Sequence, residues 1–76
     1  MSTLQFSSGY WVPVRSRWLQ AIKYDQETKA LRVRFKGGAV CRYDNFPRDE
    51  AWGLFDAGSK GRFAHEHLVG RPYTLE

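Results

Sequence analysis

The chain has 76 residues, 42% of them hydrophobic and 16% aromatic, with a formal net charge of +4. That length gives one domain close to the smallest size at which a single core holds by itself, and the aromatic content supplies buried area from few residues. A single cysteine excludes an internal disulfide framework, no apolar run approaches the roughly 20 residues that span a bilayer, and Met1-Ser-Thr-Leu-Gln5 lacks the basic start and apolar stretch of a signal peptide.

A cytoplasmic location is therefore expected. The charge is unevenly placed: residues 1–47 hold eight Lys/Arg against three acids, and residues 48–76 hold four against five. The basic excess falls on segments with strand character, which points to an organised basic surface rather than a charged tail.

Residues 1–13 show no period and are expected to form an N-terminal arm. In it Tyr10 and Trp11 are either docked or presented to a partner. Trp18–Tyr24 reads as a strand, ended by the polar loop Asp25-Gln-Glu-Thr-Lys29. Its alternation is imperfect: with Ile22 and Tyr24 facing in, Leu19 faces out unless a bulge resets the register.

Ala30–Phe35 is the clearest element. Leu31, Val33 and Phe35 point to one face of a sheet, and Arg32, Arg34 and Lys36 to the other. Directly paired residues share a face, which selects the turn that follows. A two-residue turn at Gly37-Gly38 would set Val33 against Arg42 and put a charge in the core. A three-residue loop, Lys36-Gly37-Gly38, pairs Val33 with Cys41 and Leu31 with Tyr43. It leaves Arg32 opposite Arg42 on the outer face, and a glycine in the left-handed region suits the end of such a loop.

Asn45-Phe-Pro47 ends the strands. Asp49–Ala57 reads as a helix with acids in its first turn and Ala51, Trp52, Leu54 and Phe55 as its apolar stripe. Ser59 can cap a second helix from about Lys60 to Val69, stopped by Gly70 with Pro72 beyond. The expected fold is α+β: a three-stranded antiparallel β-meander followed by two helices packed on one face, in the order β-β-β-α-α. Ile22, Leu31, Val33, Phe35, Tyr43, Trp52, Phe55, Phe63 and Leu68 form the expected core. Residues 14–73 make the domain, and 74–76 a C-terminal tail.

Several segments together resemble the KTSC domain family, a small module related to the C-terminal region of certain lysyl-tRNA synthetases. They are Val14-Arg-Ser16, Ile22-Lys-Tyr-Asp25, Leu31-Arg-Val-Arg-Phe35, Gly38-Ala-Val-Cys-Arg-Tyr43, Phe46-Pro47, Ala57-Gly-Ser-Lys-Gly61 and Phe63. The specific signal is the ordered set Tyr-Asp, Tyr-x-x-x-Pro and Ala-x-Ser-x-Gly over about residues 14–73. The chain departs from the family pattern at Lys23, Cys41 and Ala64-His65. The resemblance implies the sheet-plus-helices fold and contact with nucleic acid, and no established catalytic activity.

Four groups of residues carry the functional question. The first is the basic sheet face, Lys23, Arg32, Arg34, Lys36 and Arg42, with Arg15, Arg17 and Trp18 entering from the preceding segment. Like charges opposite one another on a sheet repel, so Arg32 across from Arg42 breaks a local rule without visible compensation in the sequence. A phosphate backbone or an acidic protein surface would relieve it, and the planar fork of arginine suits both. A solvated face that discourages edge aggregation is the plain alternative. Stacking platforms are scarce: with Tyr24 and Tyr43 turned inward, Tyr10, Trp11 and Trp18 remain, which favours phosphate or carboxylate over bases.

The second group, Ser59-Lys60-Gly61-Arg62, opens a helix and can serve as an anion site or simply as an interhelical turn. The third is His65-Glu-His67, whose spacing of two sends the imidazoles apart on a helix, so no metal is expected. The fourth is Cys41, expected to be inert packing in a central strand. Adjacent Asp49 and Glu50 suit a helix N-terminus better than acid–base chemistry.

No enzyme, cofactor, metal or membrane partner is expected. The leading expectation is a non-catalytic binding module whose basic sheet face engages an anionic macromolecule, RNA or a nucleoprotein machine. The alternative is a small protein–protein regulator, of the kind phages encode. It would dock on RNA polymerase, a synthetase or a nuclease through Tyr10, Trp11, Val12, Trp18 and the arginines, and modulate or inhibit it.

Overall fold

The computed structural model describes residues 9–76; the part of the expected arm before Gly9 lies outside them. The alternating segments become strands Val12–Pro13 (β1), Leu19–Asp25 (β2), Ala30–Phe35 (β3) and Val40–Tyr43 (β4). Helices Arg48–Asp56 (α1) and Lys60–Leu68 (α2) follow, and Thr74–Leu75 (β5) ends the order. All five strands form one antiparallel sheet in sequence order. The α+β class is as expected, but the meander is widened at each edge. The end of the arm supplies β1, and the segment expected as a tail supplies β5.

The β3–β4 hairpin has the register that keeps charge out of the core: Leu31 pairs with Tyr43, Val33 with Cys41 and Arg32 with Arg42. Phe35 N–H donates to the Ala39 carbonyl at 2.9 Å, closing the three-residue loop. Gly38 takes φ +98°, a conformation side chains rarely adopt. In β2 the register shifts between Leu19 and Ala21. This bulge turns Leu19 inward beside Ile22 and Tyr24, all three fully buried.

The helices lie on the face formed by Ile22, Tyr24, Leu31, Val33, Cys41 and Tyr43, and add Ala51, Leu54, Ala64 and Leu68 to one cluster. Phe35, Trp52, Phe55 and Phe63, expected inside, are only partly buried against it. The small residues Ala51 and Ala64 face the centre and let the helices approach closely, so the large rings sit at the margins. Phe46 is the fully buried aromatic of the loop before α1. Tyr24 reaches it edge-on and donates its hydroxyl to the Phe46 carbonyl at 2.6 Å, tying β2 to the strand–helix junction. Burial pushes the Tyr24 phenol above its usual range.

Ser59 caps α2 by accepting from Arg62 N–H at 3.4 Å. α1 starts after Pro47 with no side-chain cap, and Asp49 and Glu50 complement its dipole. Glu50 also joins the helices to the segment that follows. Its carboxylate accepts from Arg71 at 3.0 and 3.1 Å and lies 3.0 Å from His67 Nδ1. The Arg71 guanidinium in turn lies over the Phe46 ring.

Candidate functional site

The outer face of the sheet carries Lys23, Arg32 and Arg42 in one cross-strand row, as their register dictates, and Arg34 in the next. Two features make it a less open basic surface than alternation alone suggests. Trp11, just before β1, lies across it. Lys23 Nζ sits 4.8 Å and the Arg34 guanidinium carbon 4.4 Å from the centre of its ring. Trp11 is therefore partly covered by cations and is not the bare platform that the sequence allowed.

The second feature is Glu76. Its N–H donates to the Val40 carbonyl at 2.9 Å, continuing the ladder beyond β5. One carboxylate oxygen accepts from Arg32 Nε at 3.0 Å and the other from Arg42 at 3.2 Å. Arg42 Nε also donates to Asp44 at 3.0 Å. The expectation that Arg32 against Arg42 goes uncompensated is corrected here, because a carboxylate bridges the pair. The hydrogen bond from Arg32, with help from Arg42, holds the Glu76 carboxyl below the usual range.

Further cations gather at one end of the sheet. Arg15, Ser16, Arg17 and Trp18 approach the first turn of α2, and between them and Ser59, Gly61 and Arg62 runs a cleft of about 300 Å³. Two segments that sequence reasoning weighed separately thus form one site. Ser16 folds the approach: its Oγ accepts from the N–H groups of Trp18 and Leu19, both at 3.3 Å. The Trp18 ring stacks on Phe35 with centroids 5.5 Å apart and meets His65 edge-on at 6.5 Å. Trp18 is accordingly half-buried and fixed, where an exposed platform was expected.

Gly61 makes the junction possible. A Cβ there would lie 2.6 Å from Ser16 Oγ and 3.1 Å from the Trp18 indole nitrogen. Lys36 belongs to the same end, its N–H donating to the Trp18 carbonyl at 2.9 Å. Lys60 does not line the cleft, because its Nζ donates to the Ala57 carbonyl at 2.9 Å and helps close α1. Arg62 projects into solvent, 82% exposed, with Glu66 at 3.7 Å. Tyr10 is 70% exposed near the start of the described residues.

The other reactive side chains have structural partners. Cys41 faces the core, and burial pushes its thiol up. His67 stacks on Phe63 at 4.0 Å while contacting Glu50, and His65 turns to Trp18. Among the described residues no three His, Cys, Asp or Glu side chains are placed to share a metal ion. Nor is any helix among them long and apolar enough to cross a membrane.

A family model described as the KTSC domain matches residues 15–73, which contain both walls of the cleft. A relative from Stutzerimonas stutzeri (strain A1501), an uncharacterized protein, is 36% identical over 61 residues, covering 80% of this chain and 83% of the relative. The fold is similar to the crystal structure of a KTSC domain protein from Yersinia pestis, with a TM-score of 0.72 and 25% identity. That similarity covers 88% of this chain and 93% of the other.

Proposed function

The chain belongs to the KTSC domain family, and from that premise we propose that it is a non-catalytic cytoplasmic binding module for an anionic macromolecule, with RNA as the preferred partner. The observation that carries this reading is the convergence of Arg15, Arg17 and Arg62 on one cleft, with Lys36 beside it. Arginines at the mouth of a shallow polar cleft suit phosphate oxygens, which they meet through paired N–H groups. The sheet-face cations Lys23, Arg32, Arg34 and Arg42 add to the field, but each already has an internal anion or ring. The nucleic acid is therefore held at the end of the sheet, and the face contributes long-range attraction. Bases play little part, since Trp11 and Trp18 are both engaged by neighbours.

The test is binding of labelled single-stranded RNA, duplex DNA and heparin across a salt series. The log–log slope falls by about one for each phosphate-contacting arginine removed. The R15S/R17S/R62S variant loses RNA affinity and slope, while R32S/R42S loses less. Equal RNA affinity in the wild type and the first variant would sink the proposal.

A protein partner is the second reading. It is favoured by three large apolar side chains close in sequence: Val69, Tyr73 and Leu75, 64%, 59% and 66% exposed. In that case the module is a regulator docked on a larger machine. Nuclease treatment would leave its complex intact, and Y73A/L75A would dissolve it.

A further inference from the structure

We propose that the cleft between residues 15–18 and the first turn of α2 is a site for one phosphate group, taken as a free phosphate ion or as the terminal phosphate of a nucleic acid. This deepens the reading above, and its test is separable from that reading.

The cleft holds donors that have nothing to donate to. Trp18 is fixed in place by Phe35 and His65, and its indole nitrogen lies toward Gly61 at the cleft. Among the described residues no acceptor is paired with that N–H, and it is not sealed from solvent. Ser16 Oγ accepts two backbone N–H groups, so its own proton is the group left to donate. Ser59 is in the same position, having accepted from Arg62 N–H. A fixed indole N–H and two hydroxyl protons in one cleft call for a ligand made of acceptors.

The charge of the lining selects among such ligands. Arg15, Arg17 and Arg62 line the cleft, and no carboxylate does so. The nearest acidic partner of the set is Glu66, which meets Arg62 at 3.7 Å, both side chains being largely in solvent. Such a pair is weak and opens readily. A carboxylate ligand has one plane of acceptors, whereas donors here come from both segments that line the cleft. A tetrahedral dianion answers all of them at once, and the volume of about 300 Å³ admits it with part of an attached sugar. Gly61 keeps the space open, since a Cβ there would stand against both Ser16 Oγ and the indole nitrogen.

The site does not depend on the helix end. The N–H of Arg62 is already held by Ser59. What remains is a set of neutral donors beside three exposed guanidinium groups, of which the Trp18 indole is held in place and the arginines are ordered on binding.

The indole N–H gives a direct readout, because the chain has three tryptophans and Trp11 and Trp52 serve as internal controls. In ¹H–¹⁵N spectra, inorganic phosphate shifts the Trp18 indole resonance saturably, with a Kd on the order of 1 mM. Sodium chloride at equal ionic strength does not reproduce the shift. R17S/R62S, two surface changes that leave the fold intact, weaken binding by about tenfold or more. G61A abolishes it. A short RNA with a 5′-phosphate moves the same resonance at lower concentration than its 5′-hydroxyl counterpart if the terminal phosphate is the ligand. If neither RNA moves the resonance while inorganic phosphate does, the site belongs to the free ion; equal shifts from both RNAs would report internal phosphodiesters and overturn the assignment.

A Trp18 resonance that stays still in phosphate, follows chloride equally, or responds unchanged in R17S/R62S would overturn the site. Salt-dependent RNA binding without any phosphate response removes the site and leaves the macromolecular reading standing. A phosphate response without RNA binding does the reverse.

Discussion

Glu50 concentrates more structural responsibility than any other charged residue of the helices. It lies in the first turn of α1, accepts from Arg71 beyond α2, and touches His67 within α2. The Arg71 hydrogen bonds hold its carboxyl below the usual range, with His67 adding to them and burial opposing. A carboxylate with a depressed folded pKa stabilises fully above its unfolded value, about 4.3 for glutamate, and that stabilisation is lost as pH falls through the lowered folded value. E50Q is expected to cost about 1 kcal/mol at pH 7, since two hydrogen bonds lose their charge assistance in a partly exposed site. The drop in urea midpoint between pH 7 and pH 3 should also be smaller in E50Q than in the wild type. An unchanged drop would show that other carboxylates govern acid unfolding. Arg32 and Arg42 teach a related lesson about local rules. Their opposition on the sheet is real, but Glu76 answers it, so the pair signals internal structure as much as a ligand.

At the scale of elements, the β3–β4 hairpin carries the strongest local information. Its facing pattern admits one turn length without burying Arg42, and Gly38 at φ +98° completes that turn. G38A forces a side chain into this conformation and should destabilise the domain by about 1–2 kcal/mol, measured by urea unfolding. G37A, where φ is not positive, serves as the comparison and should cost less. The hairpin, both helices and the Ser59 cap were legible because each follows a period or a local signal. β1 and β5 were not, because two residues have no period; their pairing comes from the edges that β2 and β4 offer. The bulge in β2 could be read only as a condition for burying Leu19. The marginal placement of Trp52, Phe55 and Phe63 was hidden too, since a helical stripe names the buried face but not how closely two helices approach. The candidate site divides the same way. The Arg15–Trp18 segment and the Ser59–Arg62 turn each announce themselves by residue type. Their meeting across Gly61 depends on tertiary packing between segments some forty residues apart, which no local pattern records.

For the whole molecule, the net charge of +4 describes its field poorly, because part of that charge is internally committed. Glu76 and Asp44 engage Arg32 and Arg42, and Trp11 lies against Lys23 and Arg34, so the sheet face attracts anions at a distance but offers few free donors at contact. The cleft end has the opposite character, with exposed guanidinium groups over unpaired donors. The distinction can be measured with two substitutions that alter net charge identically. E76Q and E27Q each add one positive charge; Glu27 lies in the β2–β3 loop, while Glu76 bridges two arginines. If only the overall field mattered, both would strengthen binding of labelled single-stranded RNA equally, and salt would screen both gains alike. Release of Arg32 and Arg42 instead makes new phosphate contacts available. E76Q should then bind RNA more tightly than E27Q and steepen the log–log salt slope by about one to two. That result would give the face a latent capacity that Glu76 restrains. Equal gains would confine contact binding to the cleft.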